Sequence, residues 1–154
     1  MISKLDHLIV AVKDLNEAEK NYKKLFGIHP VWRGEHKELG TTNVIFNLKN
    51  TYLELLSAKG DGLGAMLVNN AIEENGDGLM GVVFGVDGIE EVSKSLLEKG
   101  FAITDISDGE GQNNDSKELR KWKNFFLPPE LSRGIFSFII EHTEGSLRKL
   151  DEYS

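Results

Sequence analysis

The feature that most constrains the fold is a pattern that occurs twice along the chain. The segment HLIVAVKDLNEAEKNY begins at residue 7, and the segment GVVFGVDGIEEVSKSL begins at residue 81. In each segment an apolar run rich in β-branched residues is followed by an acidic residue and then by apolar residues at helical spacing. Both segments therefore predict a strand that leads into a helix, and their likeness indicates an internal duplication.

Three further strand candidates follow each predicted strand and helix. The first copy contains a strand at 5–12, a helix at 16–26 and strands at 29–35, 42–48 and 51–57. The second copy contains a strand at 81–87, a helix at 89–99 and strands at 101–106, 119–127 and 134–142. Glycines and short polar pairs supply the turns between them. The sequence thus predicts an α+β fold built from two tandem βαβββ modules.

The predicted modules belong to one domain that spans residues 1–154. Module 1 covers about 4–58, a linker about 59–78, module 2 about 79–143, and a C-terminal tail 144–154. The linker is rich in glycine, and one short helix is predicted in it at 64–74. The polar stretch 107–118 has no apolar anchor, so it is predicted to be a mobile loop.

Composition removes several classes of function. The chain has 25 acidic and 18 basic residues, with a formal charge of −7, so neither nucleic acid nor a membrane is an expected partner. It has no cysteine, which excludes disulfides, thiolate metal sites and cysteine nucleophiles. The first residues are too few and too charged for a signal peptide or a membrane span, so a cytoplasmic location is predicted.

Alternation along the strands predicts which side chains face away from the helices. His7 should share that face with Tyr52 and Glu54, because Leu8 and Leu53 form the helix side. In the last strand, Glu141 is assigned to the same face, and His142 to the opposite one. A buried unpaired carboxylate is expensive, so a cation is a natural partner for Glu54 and Glu141. The alternatives are that His7 is structural, or that His7 and Glu54 only bind each other.

These residues resemble a known family. The stretch LDHLIVAVKDL at 5–15, which opens module 1, and the stretch YLELL, which closes it, resemble the vicinal oxygen chelate superfamily of glyoxalases, extradiol dioxygenases, epimerases and bleomycin-resistance proteins. More narrowly, four stretches resemble the branch called the glyoxalase-like domain: HKELGTTN at 36–43, TYLELLS at 51–57, RKWKNFFLPP at 120–129 and FIIEH at 138–142. The resemblance covers roughly residues 4–143.

The resemblance implies a cupped mixed β-sheet with helices on its outer face and metal ligands on the first and last strand of each module. His7, Glu54 and Glu141 then occupy three of four ligand positions, for a divalent ion such as Mn, Ni, Co, Fe or Zn. The fourth position falls on Gly81, which has no donor atom. His36, a water or a substrate oxygen would have to complete the site, and the iron site of extradiol dioxygenases is disfavoured.

Further candidates could contact a substrate. Asn43 shares a face with Ile45, and Trp122 and Asn124 alternate with lysines, so an amide and an aromatic wall are expected in the cup, with structural packing as the alternative. Arg33 or Arg120 could bind a substrate carboxylate, although a solvated arginine is the commoner outcome.

Two functions fit these residues. The first is a metal-dependent isomerase or lyase that chelates a small polar metabolite, with Glu141 or Glu54 transferring the proton. The second is a metal-free protein of the bleomycin-resistance type that sequesters a cationic organic ligand against aromatic side chains. In either case the cup closes within one chain or across a homodimer.

Overall fold

The structure, a computed structural model, describes residues 1–145 of the chain. Within that range the chain forms eight strands, three α-helices and one short 3₁₀ helix. The strands are β1 Ile2–Ala11, β2 Trp32–His36, β3 Thr41–Asn47, β4 Tyr52–Ala58, β5 Gly78–Val86, β6 Ser107–Asn113, β7 Leu119–Phe126 and β8 Phe136–Glu144. The α-helices are α1 Leu15–Phe26, α2 Leu63–Asn75 and α3 Ile89–Glu98, and the 3₁₀ helix is Pro129–Ser132.

The eight strands close into one mixed barrel in the order β1-β4-β3-β2-β6-β7-β8-β5. Strand β1 is parallel to β4 and antiparallel to β5, and β5 is in turn parallel to β8. Strands β2 and β6 pair antiparallel on the far side. The predicted α+β class and mixed sheet are confirmed. Closure buries one face of every strand inside the barrel.

Helices α1 and α3 pack on the outside of the barrel. Asp14 caps α1 by accepting a hydrogen bond from the Glu17 N–H at 3.0 Å, and Gly27 ends it with φ 69°. These caps confirm the helix that was predicted at 16–26. Under α1, Val10, Val12, Phe46 and Leu55 form an apolar cluster with the helix. Under α3, a second cluster contains Ile89, Val92, Phe125 and Ile139.

Strand β6 corrects two predictions. Residues 101–106 form no strand, and the strand lies instead at Ser107–Asn113, inside the stretch predicted to be a loop. Its backbone pairs with β2 and β7, so it needs no apolar anchor of its own. Its two glycines leave room for the Trp122 side chain, because a Cβ at Gly109 would lie 2.0 Å from the indole nitrogen.

Two other predictions concern the C-terminal tail and the helix between the modules. The predicted tail at 144–154 lies outside the described residues from residue 146 onward. The helix predicted at 64–74 is present as α2. Across residues 1–145, no helix is long and apolar enough to cross a membrane.

Candidate functional site

A cavity of about 110 Å³ lies inside the barrel. It is somewhat smaller than an engineered cavity of about 150 Å³ that binds benzene. Inward-facing side chains of several strands line it. They include His7, Ile9, His36, Tyr52, Glu54, Arg120, Trp122, Asn124, Phe126, Phe136, Phe138, Ile140 and His142. The lining therefore combines polar and charged side chains with aromatic and aliphatic ones.

Strands β1 and β4 present the side chains that alternation predicts. His7, Tyr52 and Glu54 line the cavity, whereas Val10 and Leu55 pack under α1. All three cavity residues lie on adjacent strands, because His7 is directly opposite Tyr52 in the parallel pairing. Their rings are stacked, with centroids 4.4 Å apart and planes at 10°.

Strand β8 corrects the prediction for Glu141. Phe138, Ile140 and His142 face the cavity, so Glu141 faces outward beside α3. There its carboxylate accepts a hydrogen bond from the Ile89 N–H, at 2.9 Å, at the start of that helix. The free N–H groups of a helix N-terminus favour a carboxylate, so Glu141 is satisfied without a cation. The predicted convergence of His7, Glu54 and Glu141 in one hollow is therefore wrong.

A buried charged network replaces that arrangement. The Nδ1 atom of His7 lies 2.7 Å from Asp6 Oδ2, and its Nε2 atom lies 3.5 Å from Glu54 Oε1. Glu54 also accepts a hydrogen bond of 2.6 Å from the Asn43 side-chain amide. On the other side of Asp6, Nε2 of His142 is 3.1 Å from both carboxylate oxygens. The network runs unbroken from His142 to Asn43.

Asp6 is a member of the network that strand alternation does not predict. Neighbours on a regular strand face opposite sides, yet Asp6 contacts His7. The pairing of β1 with β5 shifts register between Leu5 and His7, and this irregularity coincides with Asp6. The adjacent acid and imidazole, Asp6-His7, are the sequence signal that could have identified it.

The network determines the charges of its members. Burial alone would lower the pKa of His7, but hydrogen bonds and charges from Asp6 and Glu54 raise it. Burial alone would raise the pKa of Glu54, but His7 and Asn43 bring it down to about 2. The pKa of Asp6 is likewise lowered far below its usual range, against the effect of burial, by His142 and His7. The directions of these pKa shifts favour a proton on His7 and negative charge on Asp6 and Glu54.

Arg120 is the second cation at the cavity. Its residue surface is only 3% exposed, and its guanidinium lies 4.6 Å from the Trp32 ring and 5.6 Å from the Trp122 ring. None of the ion pairs formed within residues 1–145 includes it, and its buried Nε has no hydrogen-bond partner there. Arg33, by contrast, pairs with Glu19 at 2.6 Å on the outside.

The remaining predicted residues differ in their positions. His36 lines the cavity, with its Nδ1 2.9 Å from the Thr41 hydroxyl and its ring edge against Trp122. Burial lowers the pKa of His36, so its neutral form is favoured. Asn43 reaches the site only through Glu54, and Asn124 lines the cavity while accepting a hydrogen bond from Ser107. His142, predicted to face away, lines the cavity.

The donors at this site do not fit the metal ion that the resemblance implies. Residues 1–145 contain no cluster of three or more His, Asp or Glu side chains arranged to hold a metal. Both ring nitrogens of His7 face carboxylates. A Cβ added at Gly81 would lie 3.0 Å from the Phe136 carbonyl oxygen and 3.4 Å from the Ile9 side chain. The Phe136 residue and the Ile9 side chain occupy the place where the fourth ligand is expected.

Comparisons with known proteins point to one superfamily. The sequence profile of the family described as "Glyoxalase-like domain" matches residues 5–152. The mitochondrial methylmalonyl-CoA epimerase of Dictyostelium discoideum is 34% identical over 108 residues, which are 68% of this chain and 61% of that protein. The ethylmalonyl-CoA/methylmalonyl-CoA epimerase of Cereibacter sphaeroides is 29% identical over 104 residues, or 67% of this chain and 75% of that protein.

A solved structure agrees in fold. A variant of Streptomyces coelicolor methylmalonyl-CoA epimerase, in complex with 2-nitronate-propionyl-CoA, superposes with a TM-score of 0.71 at 19% identity. The superposition covers 92% of this chain and 95% of that one. The relatives named here are isomerases, whereas the sequence left isomerase, lyase and binding protein open. The chain belongs to the glyoxalase-like domain family, within the vicinal oxygen chelate superfamily.

Proposed function

We propose that this protein is an isomerase that removes a proton from a carbon atom next to a carbonyl group and then returns a proton to the same carbon. Its substrate carries a carboxylate. The observation that carries the proposal is Arg120, a buried cation at the cavity with no acidic partner among the described residues. An unpaired buried charge is unfavourable, so its position is best explained by an anionic ligand. A planar guanidinium also matches the two oxygens of a carboxylate.

His36 is the better candidate for the general base. A general base works best when its pKa is close to the working pH, and it must be unprotonated. Burial keeps His36 neutral, and only its Nδ1 is engaged by a side chain of the described residues. Glu54, with a pKa of about 2, is a weak base, and both of its oxygens already face His7 or Asn43. We therefore assign proton transfer to His36.

The other side chains have supporting roles in the proposal. Arg120 places a positive charge at the cavity that no carboxylate of the described residues compensates, and it would stabilise the negative charge that develops on a carbonyl oxygen when the proton leaves. Phe136, Phe138 and Ile140 form an apolar wall that excludes water from the reacting carbon. The cavity accepts only a small group, so the acyl part of a larger thioester would enter it first.

The relatives support this substrate class. They are named for methylmalonyl-CoA and ethylmalonyl-CoA, which are thioesters with a free carboxylate. The alternative, sequestration of a cationic ligand, is disfavoured because Arg120 would repel a cation at the cavity. The aromatic wall suits either function and does not distinguish them.

Proton exchange provides the test. Methylmalonyl-CoA, ethylmalonyl-CoA and methylmalonate are incubated with the protein in D₂O, and loss of the α-proton signal is followed by NMR. We expect exchange with at least one of them, a rise in KM of about tenfold or more in Arg120→Met, and a fall in kcat of about 100-fold or more in His36→Gln. Arg33→Met and His29→Gln, both outside the cavity, are the matched controls.

Two results would contradict the proposal. One is that no carboxylate in the panel binds or exchanges. The other is that Arg33→Met impairs the reaction as much as Arg120→Met does.

We also infer that the two halves of the barrel are tandem modules, as the sequence predicts. The element order β-α-β-β-β occurs before and after α2, and the strand order β1-β4-β3-β2 is matched by β5-β8-β7-β6. Each half contributes its own inward face to the single cavity.

A further inference from the structure

The environment of His7 leaves neither ring nitrogen open. Nδ1 is 2.7 Å from Asp6 and Nε2 is 3.5 Å from Glu54, on opposite edges of the ring. Tyr52 stacks on one ring face, with centroids 4.4 Å apart, and the Phe138 ring lies 6.1 Å away at 75° to the imidazole plane. The residue is only 3% exposed. The imidazole is therefore held in one orientation by its neighbours at the edge of the cavity.

Two buried carboxylates flank this single ring. Asp6 is 8% exposed and Glu54 is 7% exposed, so neither is well solvated. Besides His7, Asp6 contacts His142 and Tyr52, and Glu54 accepts from the neutral Asn43 amide. A buried carboxylate needs a compensating positive charge or several hydrogen bonds. At Glu54, the group available for that purpose within residues 1–145 is His7.

A histidine that binds a metal must offer a nitrogen lone pair, and so must be neutral at that nitrogen. A histidine that neutralises two carboxylates must instead carry a proton on both nitrogens. The same ring cannot do both. Epimerases of this superfamily generally use a divalent metal. This chain differs, because both ring nitrogens of His7 are paired with carboxylates.

We propose that His7 is held as an imidazolium between Asp6 and Glu54, and that this internal cation occupies the electrostatic role that a divalent ion would otherwise have, so that no metal binds at this position. The inference does not depend on the proposed reaction. It holds for a catalyst and for a binding protein alike, and its tests measure protonation and metal binding rather than turnover.

The neighbouring positions agree with the proposal. At Gly81 a side chain would meet the Phe136 backbone at 3.0 Å. From β8 the inward residues at this level are Phe138 and Ile140, which have no donor atoms. A metal at His7 would therefore have to displace Asp6 or Glu54 from the ring, and His142, the donor that β8 does present to the cavity, is already paired with Asp6.

Nitrogen NMR of the histidine rings tests the protonation state directly. We expect both ring nitrogens of His7 in ¹⁵N-labelled wild-type protein at neutral pH to show the chemical shifts of protonated nitrogens. In Asp6→Asn, one carboxylate is lost and the ring should shift toward a neutral tautomer. Asp105→Asn, an exposed substitution, should leave the His7 signals unchanged. A neutral His7 in the wild type, with one unprotonated nitrogen, would overturn the proposal.

Metal addition provides the second test, which needs no variant to fold. Wild-type protein purified without chelator is analysed for metal, and Mn²⁺, Co²⁺ and Zn²⁺ are then titrated in separate samples. We expect less than about 0.1 metal per chain, no broadening of the His7 ring signals by Mn²⁺, and no rise in Tm with any of the three ions, because a bound ion stabilises by mass action. One tightly held ion per chain that broadens or shifts the His7 signals would refute the proposal.

Discussion

At the residue scale, the centre of the molecule is one imidazole between two acids. His7 satisfies Asp6 and Glu54 at the same time, at 2.7 and 3.5 Å. Such a network is stabilising only while it is complete, because removing one member leaves a buried charge without a partner. Its strength is therefore best measured by breaking it.

Replacement of His7 by glutamine should destabilise the fold. The variant keeps the polar shape but removes the positive charge from both carboxylates, so we expect a loss of about 3–5 kcal/mol in the free energy of unfolding. Urea unfolding followed by circular dichroism measures it. The exposed His29→Gln should change stability by less than about 0.5 kcal/mol. A loss at His7 no larger than that of the control would show that the network contributes little.

The pKa shifts of His7 and Glu54 predict how the stability loss in His7→Gln varies with pH. The folded pKa of His7 is raised above 6.5, so its contribution is complete below about pH 6.5 and is lost as the pH rises through that folded value. The pKa of Glu54 is lowered from 4.5 to about 2, so its contribution is present above about pH 4.5 and is lost as the pH falls toward 2. The stability difference between wild type and His7→Gln should be largest between those limits.

Urea unfolding of both proteins at about pH 3, 5.5 and 9 checks this profile. Comparison with the variant removes the part of the His36 contribution that comes from burial, the main cause of its lowered pKa, which acts in the opposite direction below pH 6.5. A difference that is independent of pH would contradict the assignment of charge to His7.

For single elements, the packing of strand β6 requires a glycine at position 109. A Cβ at Gly109 would lie 2.0 Å from the Trp122 indole nitrogen, whereas a Cβ at Gly111 would lie 3.4 Å from His36, an ordinary contact. Trp122 is buried against Arg120 and His36, so it cannot move freely. We expect Gly109→Ala to cost about 1–3 kcal/mol and to shift the tryptophan fluorescence, with a smaller cost for Gly111→Ala.

Equal effects of the two alanines would contradict this account of β6. The comparison is well matched, since both glycines lie in β6 and both pair with residues of β7.

The outward direction of Glu141 yields a second prediction at this scale. Its carboxylate accepts the Ile89 N–H at the start of α3, so Glu141→Ala should cost about 1 kcal/mol, as the loss of a helix cap does. Ligand binding should be unchanged, because the side chain is outside the cavity. A large loss of ligand binding with little change in stability would instead show that Glu141 contributes to the ligand site.

At the scale of the whole molecule, barrel closure couples ligand binding to folding. The cavity exists only when all eight strands are paired, so an anionic ligand binds the folded chain alone. At about 100 times its Kd, a carboxylate ligand should add about 2.7 kcal/mol to the free energy of unfolding, which for a chain of this size raises Tm by roughly 5–10 °C.

Differential scanning fluorimetry with methylmalonate or methylmalonyl-CoA measures that rise, and Arg120→Met should abolish most of it. A rise that persists in Arg120→Met would show that the ligand binds elsewhere.

Local patterns carried most of the information about elements. Asp14 and Gly27 mark the ends of α1, and the alternation of β1 and β4 places His7, Tyr52 and Glu54 on one face. These signals depend on the preferences of neighbouring residues, which a sequence displays directly. Strand β6 was missed because its pairing partners stabilise it, and no apolar alternation marks it.

The order of elements in this α+β fold, the caps of α1 and the two faces of β1 and β4 follow from local sequence patterns. The face of β8 that lies inside depends on long-range packing, because the barrel interior and the layer under α3 are both apolar, and either row would suit either environment. Closure also brought His142 to Asp6, at the irregular part of β1, and buried Arg120 between two tryptophans. Those contacts join distant segments, and their energies exist only once the chain has closed on itself.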